Sequence, residues 1–172
     1  VPIWLTEDAS GWDFLLRNYT MALAADVTCL FTYDDTFHAG GAPEVEKAYR
    51  TASAQLGHAR YLGALETLQG TEVHVLEDEG LPRHQAGGTF LVAWSLTGEK
   101  SRTVPAWGES VTMIAWDGSE SRLPVVDGRV ELPLSRAGAI FRGHFAEQVA
   151  LGAALSLQTL PVRPLHEEAY QH

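Results

Sequence analysis

The sequence predicts an α/β segment followed by an all-β antiparallel domain. Three observations carry this: strand-like and helix-like runs alternate over residues 1–68, period-two runs dominate residues 69–145, and Gly- and Asp-containing turns punctuate the second stretch. Residues 146–172 form a tail with one apolar stretch, Val149 to Leu160, followed by Pro161 and Pro164. A short helix and an extended terminus are expected there.

Residues 1–7 suit a short strand, in which Ile3, Leu5 and Glu7 share one face and Glu7 stands at the C-terminal end. Ser10 followed by Asp13 resembles a capping box, and Trp12, Leu15, Leu16, Tyr19, Ala22 and Leu23 follow at helical spacing, predicting a helix over 11–25. Thr28 to Tyr33 is rich in β-formers and ends in Asp34-Asp35, with a loop from Thr36 to Ala42. A second strand is expected there. Pro43 then occupies a favoured first-turn position, and Val45, Ala48, Tyr49, Ala52 and Leu56 repeat along one face of a second helix. This βαβα order implies parallel strands covered by helices, as in doubly wound sheets and (β/α)8 barrels.

From Thr71 the pattern changes. Phe90, Val92, Trp94 and Leu96 alternate on one strand face, as do Val130, Leu132 and Leu134, while Gly87-Gly88, Asp117-Gly118 and Asp127-Gly128 mark turns. A sandwich or open barrel ending near Phe145 is expected, packed on the preceding helices through Leu56, Leu62, Leu65 and Leu68.

Composition narrows the function classes. A net charge of -10, from 22 acidic and 12 basic residues, disfavours binding to a phosphate backbone, so nucleic acid is not an expected partner. No apolar run approaches the ~20 residues that span a bilayer, and no membrane partner is expected. The single cysteine, Cys29, lies in the apolar run Val27 to Phe31, which suits a buried thiol. The opening on Val1-Pro2-Ile3-Trp4-Leu5, without Met, is how a fragment or a processed chain begins.

The strongest candidate for chemistry is Trp4-Leu5-Thr6-Glu7, a carboxylate where an apolar strand meets a polar loop. Catalytic groups of α/β barrels occupy that position; the alternative is a solvated Glu beginning the loop to the helix. His38, His58, His74, His84, His144, His166 and His172 show no metal-ligand spacing, so neither metal nor cofactor is called for. Trp94, Trp107 and Trp116 suit either a sugar-stacking face or the core. Asn18-Tyr19-Thr20 meets the glycosylation pattern but lies in an expected helix. A doubly wound hydrolase finds no support, because GxSxG, GxGxxG and GxxxxGK[ST] are all missing from the sequence.

The order of these pieces carries a resemblance. A strand ending in Thr6-Glu7, a helix, the strand Leu30-Phe31-Thr32-Tyr33-Asp34, a second helix, and then Phe90 to Ser95, Ile114 to Gly118 and Val130 to Ser135 resemble the end of the large glycosidase clan that uses two glutamates on a (β/α)8 barrel. The resemblance covers residues 1–145 and implies the last two βα units of a TIM barrel followed by an antiparallel β-sandwich domain. It implies a retaining glycoside hydrolase with a carbohydrate substrate, in which Glu7 matches the nucleophile at the end of the seventh strand. The general acid/base of the clan lies upstream, in a missing N-terminal barrel portion, so the chain alone is expected to be inactive. Eighth strands of the clan often present Trp to the sugar, whereas Thr32 stands here between Phe31 and Tyr33. Phe31 or Tyr33 is then the substrate platform or part of the core, and Asp34 and Asp35 bind sugar hydroxyls or cap the loop. The competing reading is a non-catalytic carbohydrate-binding or protein-interaction β-domain.

Overall fold

The computed structural model describes residues 3–8, 11–32, 43–78 and 88–145. The first segment is strand β1 (Ile3–Asp8), followed after a 3-10 turn at Trp12–Phe14 by helix α1 (Leu15–Ala24). Strand β2 (Val27–Thr32) and helix α2 (Pro43–Leu56) come next. The remaining elements are all strands: β3 (Ala59–Ala64), β4 (Thr71–Asp78), β5 (Thr89–Ser95), β6 (Lys100–Ala115), β7 (Glu120–Val126), β8 (Arg129–Leu134) and β9 (Ala139–Phe145).

The local expectations for the helices fit their burial. Leu15, Leu16 and Ala22 of α1, and Val45, Ala48, Ala52 and Leu56 of α2, are buried, as their 3.6-residue spacing requires. Gly11 precedes the 3-10 turn without a side-chain cap of its own, and the entry is closed by the Phe14 N–H donating to the Gly11 carbonyl. The expected capping box depends on Ser10, which lies outside the described residues.

Strands β1 and β2 pair in parallel as a two-stranded sheet. The other seven strands form one sheet in the order β3-β4-β5-β9-β6-β7-β8, and its described pairings are all antiparallel. This overturns the expected fold class. The described chain is mostly a single antiparallel sheet with two helices, not the last two βα units of a TIM barrel with an appended sandwich. The physical reason lies in what the helices cover. Leu16, Ala52 and Leu56 pack against Leu76, Phe90, Val92, Trp94, Ile114 and Ile140, so both helices bury apolar surface on the antiparallel sheet. A βαβα sequence order specifies the alternation of elements, but long-range packing decides which sheet the helices lie on.

The sheet folds over along β6, a 16-residue strand. Its N-terminal half, Lys100 to Pro105, pairs with β8, whereas Ser110 to Ala115 pairs with β7 and β9. The register on β9 shifts between Trp107 and Thr112, and Gly108 takes a φ of 90° there, a conformation that only glycine adopts without strain. Folding at this point brings Val104, Ala106, Val130, Leu132 and Leu134 against Val73, Val75, Leu91, Ala93 and Phe141. Strand β5 therefore lies in the middle of the molecule. Leu91 and Ala93 enter that cluster while Phe90, Val92 and Trp94 face the helices, which explains its near-continuous apolar sequence.

Leu56 is buried between helix and sheet, whereas Leu62 and Leu65 pack against the opposite core. Leu68, grouped with them in the sequence reading, is 48% exposed.

Candidate functional site

The sequence-derived site falls at the C-terminal ends of β1 and β2. Leu5 pairs with Leu30 and Asp8 with Thr32, so the two strands end side by side. Between these pairs β1 advances by three residues and β2 by two, which puts Thr6 and Glu7 in a local bulge opposite Phe31. The structure thus brings the backbones of Glu7 and Phe31 to one end of one strand pair. Tyr33, Asp34 and Asp35 lie outside the described residues. Helix α1 is the connection between the two strands and is itself docked on the large sheet through Leu16.

The tryptophans do not form one exposed face: Trp94 and Trp116 both belong to the helix-facing cluster, apart from Trp107. Trp94 is 1% exposed, and Trp116 packs on Trp12 with ring centroids 4.2 Å apart, whereas Trp107 is 63% exposed at the fold of β6. Across the strand from Trp107 stands His144, also exposed. Separately, β6, β7 and β8 border a groove of about 480 Å³. Ser101 and Thr103 contribute hydroxyls to it, Arg129 and Glu131 contribute opposite charges, and Leu123 and Val126 contribute apolar surface.

Two polar clusters sit where the helices meet the sheet, and neither was expected from the sequence. Arg142 on β9 donates to Asp78 Oδ2 at 2.6 Å and to Gln55 Oε1 of α2 at 2.9 Å, while its guanidinium lies 4.4 Å from the centroid of Phe90. The second cluster centres on His74, which is 5% exposed. Its Nδ1 lies 3.0 Å from the Tyr61 hydroxyl, and its ring stacks on Trp94 at 4.4 Å and 18°. The other nitrogen, Nε2, is 3.6 Å from Glu72 Oε2, beyond hydrogen-bond length, and among the described residues both Nε2 and the Trp94 Nε1 are buried without a hydrogen-bond partner.

Burial lowers the basicity of His74, Glu72 pulls it back up, and Arg17 lowers it again. Desolvation, helped by Glu72, pushes the Tyr61 hydroxyl up to about 12. The period-two pattern of β4 puts Glu72, His74 and Leu76 on one face, but the partners from β3 and β5 become visible only with the strand register. No grouping of three or more His, Cys, Asp or Glu suited to a metal ion exists among the described residues. No described helix is long and apolar enough to cross a membrane.

No protein-family profile matches the chain, and no curated protein matches it. Solved structures do. A family 39 glycoside hydrolase from the gut symbiont Bacteroides cellulosilyticus WH2 superposes with a TM-score of 0.63 at 16% identity, over 83% of this chain and 34% of that one. A GH30 endoxylanase from Clostridium papyrosolvens C71 gives 0.56 at 11% identity, over 83% and 42%. The fold described above is therefore one found in glycoside hydrolases. The chain spans 34% and 42% of the length of these two proteins.

Proposed function

We propose that this chain is the C-terminal part of a glycoside hydrolase that cleaves O-glycosidic bonds with retention, and that Glu7 is its nucleophile. The observation that carries the reading is the coincidence of a glycoside-hydrolase fold with a carboxylate-bearing residue in the bulged end of β1, beside β2. Bulges next to strand ends are a recurrent way of re-aiming a functional side chain.

A retaining enzyme needs two carboxyl groups ~5 Å apart. One attacks the anomeric carbon and forms a glycosyl ester, while the other protonates the departing oxygen and then takes a proton from water as the ester is hydrolysed. In this reading Glu7 forms the ester. The acid/base comes from sequence upstream of this chain, and Phe31, Tyr33, Asp34 and Asp35 contact the sugar. With only one of the two carboxyl groups, the chain alone does not turn over substrate.

The test is turnover of an activated aryl glycoside panel by the full-length parent, its Glu7→Gln variant and this chain. Glutamine keeps the shape and removes the negative charge, so the chemical step falls by orders of magnitude while ligand binding survives. Near-wild-type turnover by the variant removes Glu7 from the mechanism. Turnover by the chain alone removes the requirement for an upstream carboxylate.

The 63% exposure of Trp107 favours a second reading, in which the β-sheet region binds carbohydrate without catalysing anything. An exposed indole stacks on the apolar face of a pyranose. Polysaccharide pull-down by the chain, lost in Trp107→Ala, supports it. Equal retention of both proteins rejects it.

A further inference from the structure

We propose that Tyr61, Glu72, His74 and Trp94 form an acid-sensitive latch beneath α1, in which protonation of the buried His74 ring loosens the helix from the sheet. The proposal goes beyond the catalytic reading and does not depend on it. Its basis is the packing order from the sheet outward. His74 on β4 stacks on Trp94 of β5, and Trp94 in turn carries α1, through Leu16 in the same buried cluster and the Arg17 guanidinium 5.8 Å from its ring centroid.

The ring is set for two states. With a neutral imidazole protonated on Nε2, the Tyr61 hydroxyl donates to Nδ1 at 3.0 Å, and the Nε2–H faces Glu72 across a gap of 3.6 Å. A second proton goes to Nδ1. That nitrogen then donates, so the Tyr61 hydroxyl must turn to accept, and the Nε2–H is drawn toward the Glu72 carboxylate. Closing the 3.6 Å gap to Glu72 moves a ring on which Trp94 is stacked, in packing that tolerates small displacements poorly. The new charge also repels Arg17, the cationic group that α1 places over Trp94.

Among the described residues, the ionisable groups facing His74 are thus Tyr61 from β3, Glu72 from its own strand and Arg17 from α1, and the neighbour from β5 is an indole. Burial outweighs the attraction of Glu72, so the folded protein takes up the proton less readily than the unfolded chain. The sign follows by linkage: the stabilising contribution of neutral His74 is complete above an ordinary histidine pKa of about 6.5 and is lost as pH falls below it toward the folded value. Since α1 joins β1 to β2, loosening it also frees the strand end bearing Glu7 and Phe31.

The experiment is an NMR pH titration of the full chain from neutral to mildly acidic pH, without substrate, so its outcome is separate from any test of catalysis. The His74 ring titrates below the ordinary histidine value of about 6.5, and the backbone amides of Leu16 to Thr20 shift with the His74 midpoint. Glu72→Gln moves both midpoints lower still, because the carboxylate that favours the imidazolium is gone. His74→Gln abolishes the α1 transition. A His74 midpoint at or above the ordinary value of about 6.5, an α1 transition that survives in His74→Gln, or midpoints unmoved in Glu72→Gln each overturn the latch. If His74→Gln does not fold, the Glu72→Gln shift decides alone.

Discussion

Arg142 shows how one side chain ties three elements together. Its side chain is 23% exposed and that of Asp78 14%, so the pair is held in a partly desolvated place where β9, β4 and the end of α2 meet. Removing the guanidinium strands Asp78 and leaves Gln55 without its donor. We expect Arg142→Met to destabilise the fold by about 1.5–3 kcal/mol, the range for hydrogen bonds to charged groups, because residual solvent access keeps the cost below the ~3–5 kcal/mol of a fully buried broken pair. Urea unfolding of Arg142→Met, Asp78→Asn and the double variant measures the coupling. The double variant should lose less than the sum of the single losses; additivity within about 0.5 kcal/mol would mean that the two side chains act independently.

At the level of elements, α1 and the β7–β8 hairpin make contrasting predictions. Leu16 is fully buried against Trp94 and its neighbours, whereas Met21, on the same helix, is 46% exposed. Leu16→Ala should cost about 2–5 kcal/mol through lost burial and a residual cavity, and Met21→Ala should stay within about 0.5 kcal/mol. Chemical denaturation of both tests whether the apolar stripe of α1 holds the helix to the sheet; equal losses would reject that account. In the hairpin, Asp127 and Gly128 have φ of 50° and 71° between the paired residues Val126 and Arg129, a two-residue loop of the primed type. A Cβ on Gly128 meets nothing within 4 Å, so Gly128→Ala should cost only the left-handed backbone penalty, about 1–2 kcal/mol. Gly128→Asn should recover part of it, since Asn tolerates that region; a loss in Asn as large as in Ala would point to a cause other than backbone conformation.

At the scale of the whole molecule, the two sheets differ in how their edges are managed. The seven-stranded sheet folds over its own apolar face, while β1 and β2 pair only with each other among the described residues. An unextended two-stranded parallel pair presents backbone donors and acceptors on both outer edges, which invites pairing with another chain. The isolated chain is therefore expected to self-associate despite its net charge of -10. Light scattering after size exclusion measures this, with larger species growing as concentration rises. A monomer that persists at high protein concentration would show that the strand pair is adequately covered within the chain.

The sequence by itself determined the elements whose signals are local. The 3.6-residue stripes located α1 and α2, and the alternation of Val130, Leu132 and Leu134 located β8, because residues close in sequence must share a face wherever the element finally packs. The Asp117-Gly118 and Asp127-Gly128 turns were legible for the same reason. Leu96 was read as continuing β5, but that strand ends at Ser95 and Leu96 is 42% exposed. Of the candidate site, the sequence supplied Glu7 and its strand, while the pairing that sets it opposite Phe31 is a matter of register. Only the tertiary structure decided that both helices lie on an antiparallel sheet, that β6 folds and divides its partners, and that Tyr61, His74 and Trp94 meet. Each depends on contacts between residues far apart in the chain, whose energies come from burial and pairing, and periodicity within one segment carries no record of them.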